Sequence, residues 1–231
     1  MGKHPEKILC VRRGVLEALL GGALPGGFIP PRILSLTALL SRCELCVRDD
    51  VEHDPSIKQI IPYTVFTYGP YAESKDEPRV EEQVFTYLRG DGSDESRLHA
   101  KRSLGAGGHI EETDFETHAL LDEMAPYELV NAYHAAWERE LREEIDARCT
   151  SHPKAEFCNL AGYVNDDGDE VGSVHFGVVH RRALLEPEVN ARECRALVDP
   201  VLVSPAALRL AKPEFESWSR IVIDAFWPAP V

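Results

Sequence analysis

The residues of this 231-residue chain whose type and spacing best suit chemistry are Glu140, Glu143 and Glu144. A helix turns by about 100° per residue, so Glu140 and Glu144 would lie on one helix face with Glu143 beside them. Like charges at this spacing repel one another. A divalent cation would reverse that effect, because Mg²⁺ prefers carboxylate oxygens. The alternative is a solvated helix face with Arg139 and Arg142 as ion-pair partners.

A glycine-rich turn, Gly105-Ala106-Gly107-Gly108-His109-Ile110-Glu111, precedes these glutamates in the sequence. Glycine lets a backbone approach a ligand closely. Carbonyl oxygens of such a turn can also serve as neutral metal ligands. We therefore add Gly107 and Gly108 to the candidate metal-binding residues.

The elements that must position these residues follow from the spacing of apolar residues. Helical spacing predicts helices over 8–20 and 126–147, and the second of these carries the glutamates. Runs rich in β-branched and aromatic residues predict strands. The predicted strands cover 59–68, 80–89, 157–164, 171–179 and 196–203, and closing helices are predicted over 205–210 and 213–226. This mixture favours an α/β or α+β domain.

Together, the turn and the glutamates resemble the Nudix family, whose box reads G-x5-E-x7-R-E-U-x-E-E-x-G-U, with U an aliphatic residue. Gly108 matches the first glycine, and the run Arg139-Glu140-Leu141-Arg142-Glu143-Glu144 matches R-E-U-x-E-E. Asp114 stands where the family has a glutamate, and 24 residues rather than 7 separate it from Arg139. Asp146 and Ala147 replace the last glycine and aliphatic residue. The 17 additional residues are expected to enlarge the loop before the helix without changing the spacing of the helix glutamates.

The resemblance extends over about residues 48–226, and includes the runs 54–63, 101–110, 162–179 and 215–222. It implies a Nudix-like α/β/α sandwich with a mixed sheet over residues 48–231. Residues 1–47 would form an N-terminal extension packed on that domain. A subgroup with an insertion inside the Nudix box is the corresponding expectation for the family.

The activity that the resemblance implies is hydrolysis of a phosphoanhydride bond in a nucleoside diphosphate linked to another moiety. Glu140, Glu143, Glu144 and a carbonyl of the Gly107–Gly108 turn would hold Mg²⁺, or alternatively Mn²⁺, and Arg139 would orient the glutamates. A Nudix-fold nucleotide-binding or regulatory module without turnover is the alternative from another class. Isoprenoid diphosphate isomerisation is a weaker third.

Residues outside the box are candidates for further roles in the site. Glu193 is the candidate for an additional catalytic acid, against an ordinary exposed glutamate. Lys58, Gln59 and Arg102, with Lys101 beside it, are candidates for binding substrate phosphates, against ordinary surface polarity.

Two more sequence features have a structural interpretation that we favour. His175 could be a catalytic base, although a lone histidine in an apolar strand is more often a core residue. Cys43-x-x-Cys46 could be half a zinc site, but no second cysteine pair at zinc-finger spacing follows it.

The bulk composition restricts the partners and the compartment. The formal net charge of −14 disfavours binding to duplex nucleic acid, which depends on lysine and arginine. No apolar run approaches the roughly 20 residues of a membrane span. The first 22 residues are broken by charges, and the six cysteines are sparse, so we expect a cytoplasmic protein with reduced thiols. The 17-residue insertion and the N-terminal extension are candidates for substrate selection or for a homodimer contact.

Overall fold

The computed structural model describes residues 5–69, 81–90, 100–115, 124–149, 160–191 and 197–229. Its helices are α1 (Arg13–Leu20), α2 (Leu36–Leu40), α3 (Arg48–Val51), α4 (Pro126–Glu144), α5 (Glu170–Val174), α6 (Pro205–Ala211) and α7 (Ser217–Phe226). Its strands are β1 (Lys7–Arg12), β2 (Gly27–Ile29), β3 (Glu44–Val47), β4 (Ile57–Tyr68), β5 (Gln83–Arg89), β6 (Arg102–Ser103), β7 (Gly105–Ala106), β8 (Ile145–Cys149), β9 (Leu160–Asn165), β10 (His175–Ala191) and β11 (Leu197–Val203).

The chain divides into two compact units, each built from three segments. The first unit comprises Met1–Pro62, Gly107–Glu140 and Ala161–Val178. The second unit comprises Tyr63–Ala106, Leu141–Leu160 and Val179–Val231. Strands β4 and β10 and helix α4 contain residues of both units. The predicted boundary after residue 47 is not tested by this division and stays a prediction.

In the first unit, β1 pairs antiparallel with β3 on one side and with the start of β4 on the other. Strand β2 pairs antiparallel with β9. The glycine-rich turn also contacts β1, because Leu9 N donates to Ile110 O at 2.8 Å. Residues from before position 47 therefore share a hydrogen-bonded ladder with residues of the predicted Nudix domain.

In the second unit, β5 is bordered by several other strands. It pairs antiparallel with β11, with β6 and with the end of β4. Strand β7 also pairs with β4, and β8 pairs with β10. Helix α7 begins after Glu216, whose carboxylate caps it by accepting from Trp218 N at 2.8 Å and Ser219 N at 3.0 Å.

The predicted helix over 8–20 is wrong in its first half, where residues 7–12 form β1. Ile8, Leu9, Cys10 and Val11 are all at most 2% exposed. A strand buried on both faces gives a continuous apolar run, and such a run cannot be told from a buried helix by its periodicity. Only residues 13–20 are helical, and they end at Gly21, whose φ of 72° is typical of a helix C-cap.

Three other element predictions need correction. Helix α4 ends at Glu144 rather than residue 147, because residues 145–149 pair with β10 as strand β8. Residues 170–174 form α5 instead of a strand, with the Asp169 carboxylate accepting from Gly172 N as an N-cap. The last helix starts at Ser217, after a 3₁₀ turn over Lys212–Glu214. The predicted strands at 59–68, 80–89 and 196–203 are present as β4, β5 and β11, and residues 80 and 196 lie outside the described part. For 157–164, β9 is present from residue 160 onward, and residues 157–159 lie outside the described part.

Candidate active site

Helix α4 carries the glutamates, and its own sequence sets their direction. The helix begins at Pro126, and Glu128 accepts from Ala125 N at 2.7 Å ahead of the first turn. Its apolar stripe is buried, with exposed fractions of 5%, 0%, 2% and 5% for Leu129, Tyr133, Trp137 and Leu141. Because this stripe faces the interior, the helix presents the glutamates beside it at the edge of the buried face.

Arg139 connects the helix to the segment after the glycine turn. Its Nε donates to Asp114 Oδ1 at 2.6 Å and its Nη2 donates to Asp114 Oδ2 at 2.7 Å, a bidentate ion pair. Nη2 also donates to His109 O at 3.3 Å. Nη1 lies 2.8 Å from Glu140 Oε1. One guanidinium thus fixes Asp114, the backbone at His109 and the carboxylate of Glu140.

Gly108 lies directly against Glu140. A Cβ at position 108 would overlap the carboxylate of Glu140, so no larger residue fits here without displacing that carboxylate. The preceding Gly107 has a φ of 141°, a conformation that residues other than glycine rarely adopt. The structure therefore gives a steric reason for glycine at positions 107 and 108.

His109, in the glycine-rich turn, contacts Gln59 of β4. Nε2 of His109 donates to Oε1 of Gln59 across 2.7 Å. Burial lowers the pKa of His109 well below its usual range, and the positive charge of Arg48 lowers it further, so the ring is neutral. Gln59 is 0% exposed, and its Nε2 has no hydrogen-bond partner among the described residues.

Lys58 was expected at substrate phosphates, but the structure gives it an internal partner. It is 0% exposed, and its Nζ donates to Asp167 Oδ1 at 2.7 Å and to Gly172 O at 2.8 Å. Arg13 donates to the same carboxylate of Asp167. Burial opposes ionisation of Asp167, but the hydrogen bonds from Arg13 and Lys58 outweigh it and lower the pKa of Asp167 well below its usual range. This correction makes Lys58 a structural cation, since its charge is neutralised inside the first unit.

The remaining box glutamates belong to the second unit. Glu143 is exposed and Glu144 is half-buried at the end of α4. Arg102, the other expected phosphate ligand, donates to Asp199 Oδ2 at 3.1 and 3.2 Å and is already in an ion pair. Lys101 is exposed.

The sequence also suggested roles for Glu193, His175 and Cys43. Glu193 lies outside the described residues. His175 is 6% exposed and its Nδ1 contacts Val171 O at 2.7 Å, which agrees with a satisfied core histidine. Cys43 is buried, and burial raises the pKa of its thiol, so it is protonated rather than a ready metal ligand.

The donor types of the site fit a hard divalent cation, although they are not gathered around one point. In the described part of the chain, no three His, Cys, Asp or Glu side chains form a ready ligand set. The carboxylate of Glu140 is instead engaged by Arg139. Its close approach to Gly108, where a Cβ would overlap it, brings a carboxylate and the backbone of the turn together. Carboxylate and carbonyl oxygens are the ligands that Mg²⁺ accepts.

Sequence reasoning missed two features of the site. The pairing of Asp114 with Arg139 was obscured by the 24 residues between them, although Asp114 keeps the box spacing from Gly108. Arg89 was not singled out, because an arginine at the end of a predicted strand has no distinctive spacing.

Comparison with solved structures shows the fold class of this protein. No family model matches the chain. The crystal structure of Tm1382, "a putative Nudix hydrolase", superposes with a TM-score of 0.69 over 96% of this chain and 98% of that one, at 24% identity. This protein therefore has the Nudix fold, which confirms the predicted α/β class and the Nudix resemblance at the level of the fold.

The sequence comparison adds a family. Protein YmaB of Bacillus subtilis (strain 168) is 32% identical over 179 residues, which cover 77% of this chain and 75% of that protein. The chain belongs to the family of Protein YmaB. The expected subgroup with an insertion in the box stays a prediction. No helix among the described residues is long and apolar enough to cross a membrane.

Proposed function

We propose that this protein is a metal-dependent hydrolase that cleaves a phosphoanhydride bond in a nucleoside diphosphate linked to another moiety. The observation that carries the proposal is the arrangement around Arg139. It holds Asp114 at 2.6 and 2.7 Å and Glu140 at 2.8 Å, while Glu140 lies against Gly108. Residues that are far apart in the sequence thus meet at one guanidinium, which supports the proposal.

The proposed ligands of Mg²⁺, or alternatively Mn²⁺, are Glu140, Glu143 and Glu144 on α4 and a carbonyl of the Gly107–Gly108 turn. The metal would neutralise the charge of the diphosphate and lower the pKa of a bound water for attack on phosphorus. Arg139 restricts the direction of Glu140, because it holds one of its carboxylate oxygens.

Arg139 acts in this proposal as a positioning residue. Its side chain is 29% exposed, and its donors are directed to Asp114, Glu140 and the carbonyl of His109. Because these groups already use the guanidinium, Arg139 orients the box carboxylate rather than contacting the substrate. Glu193 remains our candidate for an additional acid on the basis of the sequence.

The substrate in this proposal is a small nucleotide-type molecule rather than duplex nucleic acid. The net charge of −14 supports this, because a small diphosphate needs only local neutralisation. We propose action in the cytoplasm, and the homodimer stays a prediction.

The test measures phosphate or pyrophosphate release from a panel of nucleoside diphosphate derivatives with Mg²⁺ or Mn²⁺. We expect turnover by the native protein and a loss of at least about 100-fold in Glu143→Gln and Glu144→Gln, since each removes a proposed metal ligand. Glu138→Gln is the matched control, because position 138 lies about 200° from Glu140 around the same helix. It should retain activity.

Two results would contradict the proposal. Turnover that is unaffected by both substitutions would exclude the glutamates as metal ligands. Measurable nucleotide binding without hydrolysis of any panel member would favour the binding or regulatory module instead.

A further inference from the structure

Arg89, the last residue of β5, is a half-buried cation in the second unit. Its Nε is buried and has no hydrogen-bond partner, and no ion pair of Arg89 occurs among the residues the structure describes. Neighbouring arginines differ in this respect, because Arg102 pairs with Asp199 and Arg181 pairs with Glu82. A charged donor that is withdrawn from water without a partner costs free energy.

The direction of Arg89 follows from the alternation of side chains along β5. Residues two apart on a strand share a face, so Arg89 lies on the same face as Tyr87. The hydroxyl of Tyr87 donates to Gly105 O at 2.7 Å, immediately before the box turn in the sequence. The guanidinium is therefore on the face of the strand that contacts the segment leading into the glycine turn.

The carboxylate of Glu216, whose charge acts on Arg89, accepts no hydrogen bond from Arg89 Nε. It already accepts hydrogen bonds from Tyr63 Oη at 2.8 Å, from Ser103 Oγ at 3.3 Å and from the backbone N atoms at the start of α7. It also accepts from the Ser219 hydroxyl. Four of these five hydrogen bonds end on Oε1 and one ends on Oε2, and Nε of Arg89 donates to neither oxygen.

Arg89 also lies within electrostatic range of Glu144, the last box glutamate. Burial alone lowers the pKa of Arg89, but Tyr87, Glu216 and Glu144 together outweigh burial and raise it. The guanidinium is therefore charged at neutral pH, as is usual for arginine. Glu144 is half-buried at the end of α4, so Arg89 is a permanent cation close to one proposed metal ligand.

We propose that Arg89 binds a phosphate group of the substrate. The planar guanidinium presents paired donors that match phosphate oxygens. This inference rests on the proposed function, and replaces Lys58 and Arg102 as the phosphate ligand, since both are paired with aspartates. An anion bound there would supply a partner that Nε of Arg89 does not have among the described residues.

The first experiment measures binding rather than turnover. ADP is titrated calorimetrically into the native protein and into Arg89→Gln and Arg89→Lys, both with Mg²⁺ and in EDTA. We expect Kd to rise at least about tenfold in Arg89→Gln and to rise less in Arg89→Lys, which keeps the charge but loses the fork. Arg220→Gln, which removes an exposed charge from α7, should change Kd by less than about twofold.

Protein chemistry on the native chain makes the proposal testable even if Arg89 variants fold poorly. Phenylglyoxal modifies accessible arginines, and mass spectrometry reports the extent at each position. ADP should protect Arg89 and leave Arg220 unprotected. Equal modification of Arg89 with and without ADP, or unchanged ADP affinity in a folded Arg89→Gln, would overturn the proposal.

The outcomes separate this inference from the proposed function. If ADP binding depends on Arg89 but no panel compound is hydrolysed, the phosphate site stands and the hydrolase proposal fails. If hydrolysis depends on Glu143 and Glu144 while Arg89→Gln keeps the native KM, the hydrolase proposal stands and the phosphate site fails. In a functioning hydrolase, we expect Arg89→Gln to raise KM.

Discussion

The Asp114–Arg139 ion pair should contribute more to stability than a surface ion pair, and this can be measured with a single substitution. Asp114→Asn keeps the shape of the side chain and removes its charge. The side chain of Asp114 is 5% exposed and that of Arg139 is 29% exposed. Breaking a fully buried ion pair costs about 3–5 kcal/mol, because one charge is left uncompensated.

The expected cost here is smaller than that limit. Arg139 is partly exposed and keeps Glu140 and the carbonyl of His109 as partners. Asparagine can still accept from Glu111 N, which donates to the Asp114 carboxylate at 2.8 Å. We therefore expect a loss of about 2 kcal/mol in the free energy of unfolding, the range of a charge-assisted hydrogen bond.

The assay is urea unfolding followed by tryptophan fluorescence, for which Trp137 on α4 is a buried probe near Arg139. The control is Glu112→Gln, in the 3₁₀ turn Glu112–Asp114 that also contains Asp114. Glu112 pairs with Lys7 at 2.8 Å, but their side chains are 51% and 39% exposed. Removing this exposed pair should cost less than about 1 kcal/mol. Both variants lose one negative charge, so the net charge cancels from the comparison.

Equal losses in the two variants would refute the reasoning, because they would mean that the burial of Asp114 adds nothing. Asp114→Glu, which introduces the residue found in the family's box, gives a second check. If the ion pair is what matters, this variant should keep more stability than Asp114→Asn.

Three further predictions concern substitutions at Gly108, Asp167 and Tyr63. Gly108→Ala should lower turnover at least about tenfold, because its Cβ would displace the adjacent box carboxylate; Gly26→Ala, where nothing lies within 4 Å, should not. The pKa of Asp167 is lowered in the folded protein, so its stabilisation is present above the unfolded pKa of about 4 and is lost as the pH falls below it. Urea titrations between pH 6 and pH 3 should show that the free energy of unfolding falls less with pH in Asp167→Asn than in the native protein. Equal slopes in the two proteins would contradict this. Tyr63→Phe should reduce the free energy of unfolding by about 1–2 kcal/mol, because the buried hydroxyl bonds a carboxylate. Tyr127 is 65% exposed, so Tyr127→Phe should change the free energy of unfolding by less than about 0.5 kcal/mol.

Local patterns predicted those elements whose amphipathic stripe decides their structure. Helix α4 is such a case, since its stripe from Leu129 to Leu141 is buried as expected. Its end was mispredicted because Ile145 continues the same stripe, while pairing with Ala191 makes it part of β8. That partner is distant in the sequence, and no local propensity contains it.

The same distinction applies to the candidate site residues. The spacing of Glu140, Glu143 and Glu144 within one helix can be read from the sequence alone. The environment of Lys58 cannot, because its partner Asp167 is 109 residues away and reaches it only through the fold. A lysine beside a strand has the same local sequence whether it faces a substrate or a buried aspartate.

The spacing of 24 residues between Asp114 and Arg139 does not prevent their ion pair. Of the 24 residues between Asp114 and Arg139, residues 126–138 belong to α4, so only residues 115–125 lie between Asp114 and the helix. The cost of closing such a segment grows only with the logarithm of its length. The bidentate Asp114–Arg139 pair closes that loop, with a contribution that we expect to be about 2 kcal/mol. A longer loop therefore does not by itself separate the glycine turn from α4. The same pair that Asp114→Asn weakens is what allows the interrupted box to keep Glu140 beside Gly108.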